Sequence, residues 1–371
     1  MTTTVTLSPE QDEIRGVARS FLEARYPSDR VRELMKTPAG FEQSDWDEIA
    51  ELGWTGIAVP EGQGGAGYSD VERCLLLEEM GRVLFPCPFL SSAVLAADAL
   101  ALAGEGGAAA ELLPGVVDGS TRATLVAGGD LGAGQGSALR AVARGEEHEL
   151  SGNGGLTLDG HTGELLIVVA ALEGGELALF AVDPGAEGVI RNPVETIDET
   201  RKTAVVEFER TPAHRLDGGD GGEGIALALD RGAVALAAEM AGGARKAIEM
   251  TVAYMHEREQ FGGPIGRFQA LKHRLADLHV RIDVARQSVY AAADALAAGE
   301  SEHVPMLAAA AKYAASIGYV TATAEAIQLH GGIGFTEEHD IGLYYKRALV
   351  SAETLGAPAD QVERIALGLD V

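Results

Sequence analysis

The spacing of apolar residues switches twice along this chain, and that double switch limits its possible folds more than any other feature. Up to about residue 120, apolar residues recur every three or four positions, the period of a helix burying one face. From 121 to 222 they alternate with period two in short runs punctuated by Gly, Asp and Pro, the pattern of strands and turns. From 223 onward the helical period returns. An α+β protein with segregated parts follows: an N-terminal helical domain over 1–120, a middle β domain (sandwich or barrel) over 121–222, and a C-terminal helical bundle over 223–371.

Local signals support this order. Ser8 before Pro9 and Glu10 reads as an N-cap with Pro at the first helical position. Trp46, Ile49 and Leu52 belong to a helix that stops at Gly53, and Ser69 caps another carrying Val71, Leu75 and Met80 and ending at Gly81. Pro86 and Pro88 break the chain before Ala-rich helices. Strand character appears at 124–127, 138–142, 165–170, 177–182 and 204–208, and the Gly/Asp run at 217–222 closes the β region. Gly-rich 104–110 and acidic 146–149 read as turns or solvated loops. The strongest helical stripe is Ile265, Phe268, Leu271, Leu275, Leu278, Ile282, Ala285 and Val289, which predicts a helix starting near Ile265. A second long, Ala-rich helix is expected from Pro305 to His330. Ala-lined helices approach closely, which suits a four-helix bundle.

Bulk properties narrow the function. The 371 residues carry a net charge of −27, which argues against nucleic acid or an anionic membrane surface as partner, since both require clustered Lys and Arg. No apolar run reaches the roughly 20 residues of a membrane span. Cys74 and Cys87 sit among apolar residues, and the opening Met1-Thr-Thr-Thr has no signal-peptide character. Buried reduced thiols in a cytoplasmic protein are therefore expected. No Cys/His spacing suggests a metal site.

Within the C-terminal helical region lies Gln328-Leu-His-Gly-Gly-Ile-Gly-Phe335. Glycines at 331, 332 and 334 remove Cβ where a backbone can approach a ligand, and Gln328 and His330 add polar groups beside them. Two readings are open: a tight helix–helix turn, or an anion cradle at a helix start.

Three segments in order resemble the acyl-CoA dehydrogenase family: Trp54-Thr-Gly-Ile-Ala-Val-Pro-Glu61 with its Gly-Gly loop, Tyr254-Met-His-Glu-Arg-Glu-Gln-Phe-Gly-Gly-Pro-Ile-Gly-Arg-Phe-Gln269, and the 328–335 segment. The resemblance spans nearly the whole chain. It implies an N-terminal helical, middle β and C-terminal bundle fold, and an FAD-dependent α,β-desaturation of an acyl-CoA thioester. In that reaction a carboxylate takes the α-proton and hydride goes to the flavin. It also implies that Arg258, Phe261, Gln269, Gln328, Gly331 and Gly332 reach the adenosine diphosphate part of a neighbouring subunit's FAD. A guanidinium for pyrophosphate, an aromatic face, amides and bare backbone suit that task.

The chain departs from the family where the chemistry lies. The commoner base position, counted nine residues from Arg347, falls on Gly356 within Glu353-Thr-Leu-Gly-Ala-Pro358. A rarer position before an Arg reads Asp230-Arg231, one methylene shorter than the family's Glu. Asp230, Glu353 and then Glu239 are the candidate displaced bases, and Arg231 is a candidate substrate contact. The flavin-ring segments read 129–137 and Leu156-Thr-Leu158, leaving Thr157 as the remaining hydroxyl. What this subunit would use itself is degraded, while what it would lend to a neighbour is kept. That pattern resembles the smaller, base-lacking subunit of actinobacterial heterotetramers that dehydrogenate steroid side-chain CoA thioesters, a branch of lipid breakdown. The resemblance thus implies a homologous catalytic partner. Two alternatives stand beside it: a self-sufficient homo-oligomer with a shortened or displaced base, and a scaffold subunit that binds no flavin.

Overall fold

In a computed structural model, the structure describes residues 6–104, 107–129, 138–145, 147–216, 221–300 and 302–369. Six helices come first: α1 (Pro9–Arg25), α2 (Ser28–Leu34), α3 (Gln43–Glu51), α4 (Asp70–Arg82), α5 (Ala97–Ala101) and α6 (Ala108–Val117). Seven strands follow: β1 (Ala123–Val126), β2 (Arg140–Arg144), β3 (Glu147–Leu158), β4 (Leu165–Ala171), β5 (Leu177–Val182), β6 (Val189–Val194) and β7 (Thr203–Arg215). Five helices complete the chain: α7 (Gly221–Glu257), α8 (Gln269–Ala298), α9 (Val304–His330), α10 (Ile341–Glu353) and α11 (Pro358–Gly368). The helix–strand–helix order is the one the hydrophobic spacing predicts.

The predicted caps form. Ser8 Oγ accepts from Gln11 N at 3.1 Å while Gln11 Oε1 accepts from Ser8 N at 3.0 Å, a reciprocal pair that satisfies two orphan donors. Gly53 ends the α3 region in the left-handed conformation at φ 72°, which costs glycine nothing. Ser69 caps α4 through Val71 N at 3.1 Å.

The strands wrap into a ring. β4 pairs β5, β5 pairs β7, β7 pairs β3, β3 pairs β2, and β2 returns to β4 through Arg140 and Ala171. Along β4, Leu166, Val168 and Ala170 point into the ring with Phe180, Val206 and Phe208. Ile167 and Val169 point outward into the main helical core. Two strands, β3 and β6, lie where the sequence suggests loops. Gly152, Gly154 and Gly155 read as punctuation, yet β3 carries them at register shifts, with φ of 127° at Gly152 and 72° at Gly155. A bulged strand keeps pairing where flat strands would break. Residues 147–149, expected to be a loop, begin this strand. Pro193 disguises β6, which hydrogen-bonds to β7 alone and so can hold a proline. Of the Gly/Asp stretch at 217–222, residues 217–220 lie outside the described residues, as do 105–106 and 146.

In the bundle, α7 and α8 pack on α9, with α10 and α11 along α9. The helix expected from Ile265 starts four residues later. Ile265 sits in a single tight turn, Phe268 is extended at φ −74°, ψ 122°, and α8 begins at Gln269. Consequently only Leu278, Ile282, Ala285 and Val289 of the predicted stripe are fully buried. The second long helix, α9, runs to His330 as expected. Cys74 and Cys87 are buried free thiols, and burial pushes both up.

All of α4 is buried, charges included. Glu78 receives Arg245 at 2.7 Å, Arg286 at 2.8 Å and the Tyr290 hydroxyl at 2.7 Å. A second buried network joins the β region to the bundle. Arg347 of α10 donates to Asp198 at 2.6 Å, Thr200 at 2.6 Å and Glu239 of α7 at 2.7 Å, and Glu239 also receives Arg201 at 2.5 Å. Burial alone would raise Glu239; Arg201 and Arg347 outweigh it and hold the carboxyl below its ordinary range.

Two outcomes follow for stability. Arg347→Met leaves two buried carboxylates without their shared cation and is expected to cost about 3–5 kcal/mol in urea unfolding. Because the Glu239 value is depressed in the folded state, its contribution is complete above the unfolded carboxylate pKa of about 4.3 and lost as pH falls through the folded value. The stability–pH curve of Arg347→Met should therefore be flatter on the acid side than that of the parent protein.

Candidate functional site

Two regions hold the residues singled out by sequence. The first is a crevice where α7, the Phe89–Ala96 helical segment, the strands and the 354–357 turn meet. Its walls are Ser91, Leu95, Leu125, Leu156, Thr157, Leu229 and Leu355, with Gly128 and Gly129 at the edge. About 20 Å³ is free inside, room for roughly one water, against about 300–1,000 Å³ for a small-molecule pocket. Among the described residues no carboxylate lines it. Residues 130–137 of the expected flavin-ring segment lie outside the described residues. Thr157 is buried in the wall, its hydroxyl 3.4 Å from Gly155 O.

The turn after α10 places its residues differently from the sequence count. Leu355, at φ 58°, is the side chain that reaches the crevice. Gly356 lies one residue beyond, at φ 97°, and a Cβ there would sit 2.4 Å from Gln361 Nε2. The crevice-facing side chain of this turn is therefore the apolar Leu355, the residue before Gly356. On α7 the facing positions are Leu229 and Gly232; a Cβ on Gly232 would meet Leu95 Cδ2 at 2.3 Å and Leu355 Cδ1 at 3.4 Å.

The candidate bases lie elsewhere. Asp230 points to α11 and pairs with Arg364. Burial pushes its carboxyl up, and Arg364 only partly offsets this. Glu239 belongs to the Arg201/Arg347 network. Glu353 is exposed at the end of α10. Arg231 faces Asp98 at 3.4 Å and Asp70 at 3.7 Å, beside the buried Arg73, which donates to Asp98 at 2.8 Å. Its guanidinium is therefore held in an ion-pair cluster.

Lys312 went unnoticed in the sequence, although a lone Lys within Ala-Ala-Ala-Ala-Lys-Tyr-Ala-Ala is a visible signal. It is fully buried on α9, and its Nζ donates to Ser316 Oγ at 3.1 Å, Ala352 O at 3.0 Å and Gly356 O at 3.5 Å. Burial lowers its pKa to about 7. A cation on the last carbonyls of α10 opposes the negative helix end and fixes the turn that carries Leu355.

The second region lies at the far ends of α7 and α9. Arg258 follows α7, its N–H bonded to Tyr254 O at 2.8 Å; it is exposed, and among the described residues no carboxylate pairs with it. Residues 258–265 fold back on themselves through Ile265 N to Arg258 O at 2.8 Å. At the tip, Phe261 is 85% exposed at φ 55° and meets Phe268 edge-on at 6.0 Å. Gln269 and Gln328 are exposed. Past α9, Gly331 and Gly332 have nothing within 4 Å of where a Cβ would lie, and Gly331 takes φ 66°. Gly334 closes the turn, since a Cβ there would sit 2.7 Å from Ile327 O. Ile333 and Phe335 are exposed. The structure thus leaves all six predicted clamp residues accessible, Gly331 partly so, with an open cation, an open aromatic ring, two amides and bare backbone. That donor set fits the adenosine diphosphate end of a dinucleotide.

Residues 8–120 match the acyl-CoA dehydrogenase N-terminal domain and residues 219–369 the acyl-CoA dehydrogenase C-terminal domain. The acyl-CoA dehydrogenase IpdE2 of Mycolicibacterium smegmatis is 33% identical over 97% of this chain and 98% of its own length. The chain belongs to the acyl-CoA dehydrogenase family of oxidoreductases. Among solved structures, a variant of the steroid ACAD Tcur3481–Tcur3483 superposes with a TM-score of 0.89 at 32% identity, covering 98% of this chain and 99% of that one. The ChsE4–ChsE5 complex from Mycobacterium tuberculosis gives 0.88 at 25% identity, covering 98% of both chains. Among the described residues, no helix of this acyl-CoA dehydrogenase homologue is long and apolar enough to cross a membrane.

Gly356→Ala tests the rebuilt turn. A side chain at φ 97° is strained by about 1–3 kcal/mol, and its Cβ crowds the Gln361 amide. Urea unfolding should show a loss of that size, and the same Gly356→Ala change made in a Gln361→Ala background, read against Gln361→Ala alone, should cost less by the crowding part.

Proposed function

We propose that this chain is the non-base-bearing subunit of a hetero-oligomeric acyl-CoA dehydrogenase, completing an FAD site that it shares with a homologous catalytic partner. The contrast between the two regions carries this reading. The crevice where a base and flavin ring would meet is narrow and aliphatic, whereas Arg258, Phe261, Gln269, Gln328, Gly331 and Gly332 stand open at the far end of the bundle. When bound, FAD supplies the hydride acceptor. The role of this chain is to hold the dinucleotide end: Arg258 for the pyrophosphate, Phe261 for an aromatic face, the two Gln amides and the 331–332 backbone for polar edges. The substrate is the acyl-CoA thioester held by the partner. The relatives described as a steroid ACAD and as the ChsE4–ChsE5 complex support a steroid-derived acyl chain and a heteromeric assembly.

A self-sufficient homo-oligomer fits less well, because Asp230 is turned to Arg364, Glu239 is held by two arginines and Glu353 faces solvent. A flavin-free scaffold leaves the open clamp without a purpose.

The test is flavin content. The chain purified alone should carry little FAD absorbance and show no acyl-CoA turnover, and the complex with its partner should carry FAD. Arg258→Ala in that complex should weaken FAD binding by about tenfold to a hundredfold, the loss of one charge-assisted contact. Full FAD occupancy and turnover by this chain alone would overturn the proposal.

A further inference from the structure

The two halves of the clamp sit on different helices, and three rings join them. Tyr254 lies one turn before Arg258 on α7. His330 is the last residue of α9, two positions after Gln328. Their rings stack at 4.5 Å with an interplanar angle of 27°. His339, on the exit side of the 331–338 loop, also meets the His330 ring, edge-on at 4.5 Å and 63°. His330 is buried, and its Nδ1–H donates to Ala326 O at 2.7 Å, which ties the ring back to its own helix. His339 is fixed in turn, because its Nδ1 accepts from Ile341 N at 3.2 Å at the start of α10. The rings therefore tie the end of α7, the end of α9 and the start of α10 to one point, with the glycine loop strung between two of the three rings.

We infer that the Tyr254/His330/His339 stack is a latch that positions the dinucleotide clamp, with His330 as its central positioning residue. This rests on reading the 258–269 and 328–335 segments as an FAD clamp. Gly331 and Gly332 have no side chains to hold them; the loop is placed by Gly334 packed against Ile327, by Arg32 donating to Glu338 O at 3.3 Å, and by the His330 and His339 rings at its two ends. Burial lowers the pKa of His330, with the charge of His339 adding to the effect and the bond to Ala326 opposing it. A neutral ring is what stacks on Tyr254 without stranding a charge.

The test separates ring geometry from simple filling. His330→Leu keeps the apolar bulk and loses the ring, while His330→Phe keeps the ring and loses the hydrogen bond. In the full-length chain, His330→Leu should speed amide exchange across Gly331–Phe335 by about tenfold, the loss of two ring contacts, and His330→Phe should restore most of the protection. In the assembly with its partner, His330→Leu should raise the FAD dissociation constant by a similar factor, again with rescue by Phe. Equal protection in the Leu variant and the parent overturns the latch. Faster exchange with unchanged FAD affinity, where Arg258→Ala does release FAD, shows a latch that does not serve the clamp and overturns the proposal. If Arg258→Ala also leaves FAD affinity unchanged, the underlying FAD reading has failed, and the inference falls with it.

Discussion

The buried guanidinium of Arg347 is the constraint on which the geometry of this molecule turns. It draws Asp198 and Thr200 from the loop between β6 and β7 onto Glu239 of α7, and Arg201 closes the network from the same loop. Charges removed from water this completely must be paired in good geometry, or burying them costs several kcal/mol each. The network therefore fixes one arrangement of strands against bundle. The crevice between Leu158 of β3, Leu229 of α7 and Leu355 inherits its shape from that arrangement. Glu78 plays the matching part on the other side, pinning the central α4 between α7 and α8 through two arginines and a tyrosine.

This frame carries two surfaces of opposite character. At the crevice, apolar side chains from the 89–96 segment, β1, β3, α7 and the 354–357 turn converge until about one water's volume is left, with Leu229 and Gly232 facing it from α7. At the far end of α7 and α9, large apolar and charged side chains are left in solvent: Phe261, Ile333, Phe335 and Arg258, which pairs with no carboxylate among the described residues. Exposed aromatic rings grouped around bare backbone cost solubility without helping this chain fold. A surface of that kind suits a contact, which is the physical support for the proposed shared FAD site.

Much of this was legible in the sequence because it depends on local spacing. Caps at Ser8 and Ser69, the stop at Gly53, the length of α9 and the α–β–α order all follow from periodicity and turn chemistry. The 258–269 and 328–335 segments stood out for another reason, since their resemblance to the family rests on residue types at fixed intervals, and the structure leaves those residues accessible. The failures were long-range. Strand β3 hides its pairing behind glycines that a bulge requires, and β6 hides behind a proline that an edge strand tolerates. The start of α8 was misplaced because Ile265 and Phe268 continue its apolar period without joining its helix. Counting from Arg347 reaches Gly356 but says nothing of Leu355, whose left-handed backbone turns its side chain to the crevice.

That turn also bears on whether a carboxylate could work at the crevice. A carboxylate lost by one substitution would leave the surrounding backbone ready to take it back. Here Leu355 and Gly356 are both left-handed, the Gln361 amide donates to Leu355 O at 3.0 Å and Gly356 O at 3.3 Å, and Lys312 binds Gly356 O from below. Each contact is to backbone, so each holds the turn whatever side chain it carries. Across the crevice, Gly232 leaves space that Leu95 and Leu355 already occupy. An apolar wall assembled from several elements, with its turn held by a buried lysine, is a packed structure in its own right. A carboxylate introduced at Leu355 would be desolvated among Leu95, Leu125 and Leu229, and burial of that kind favours the protonated acid over the base.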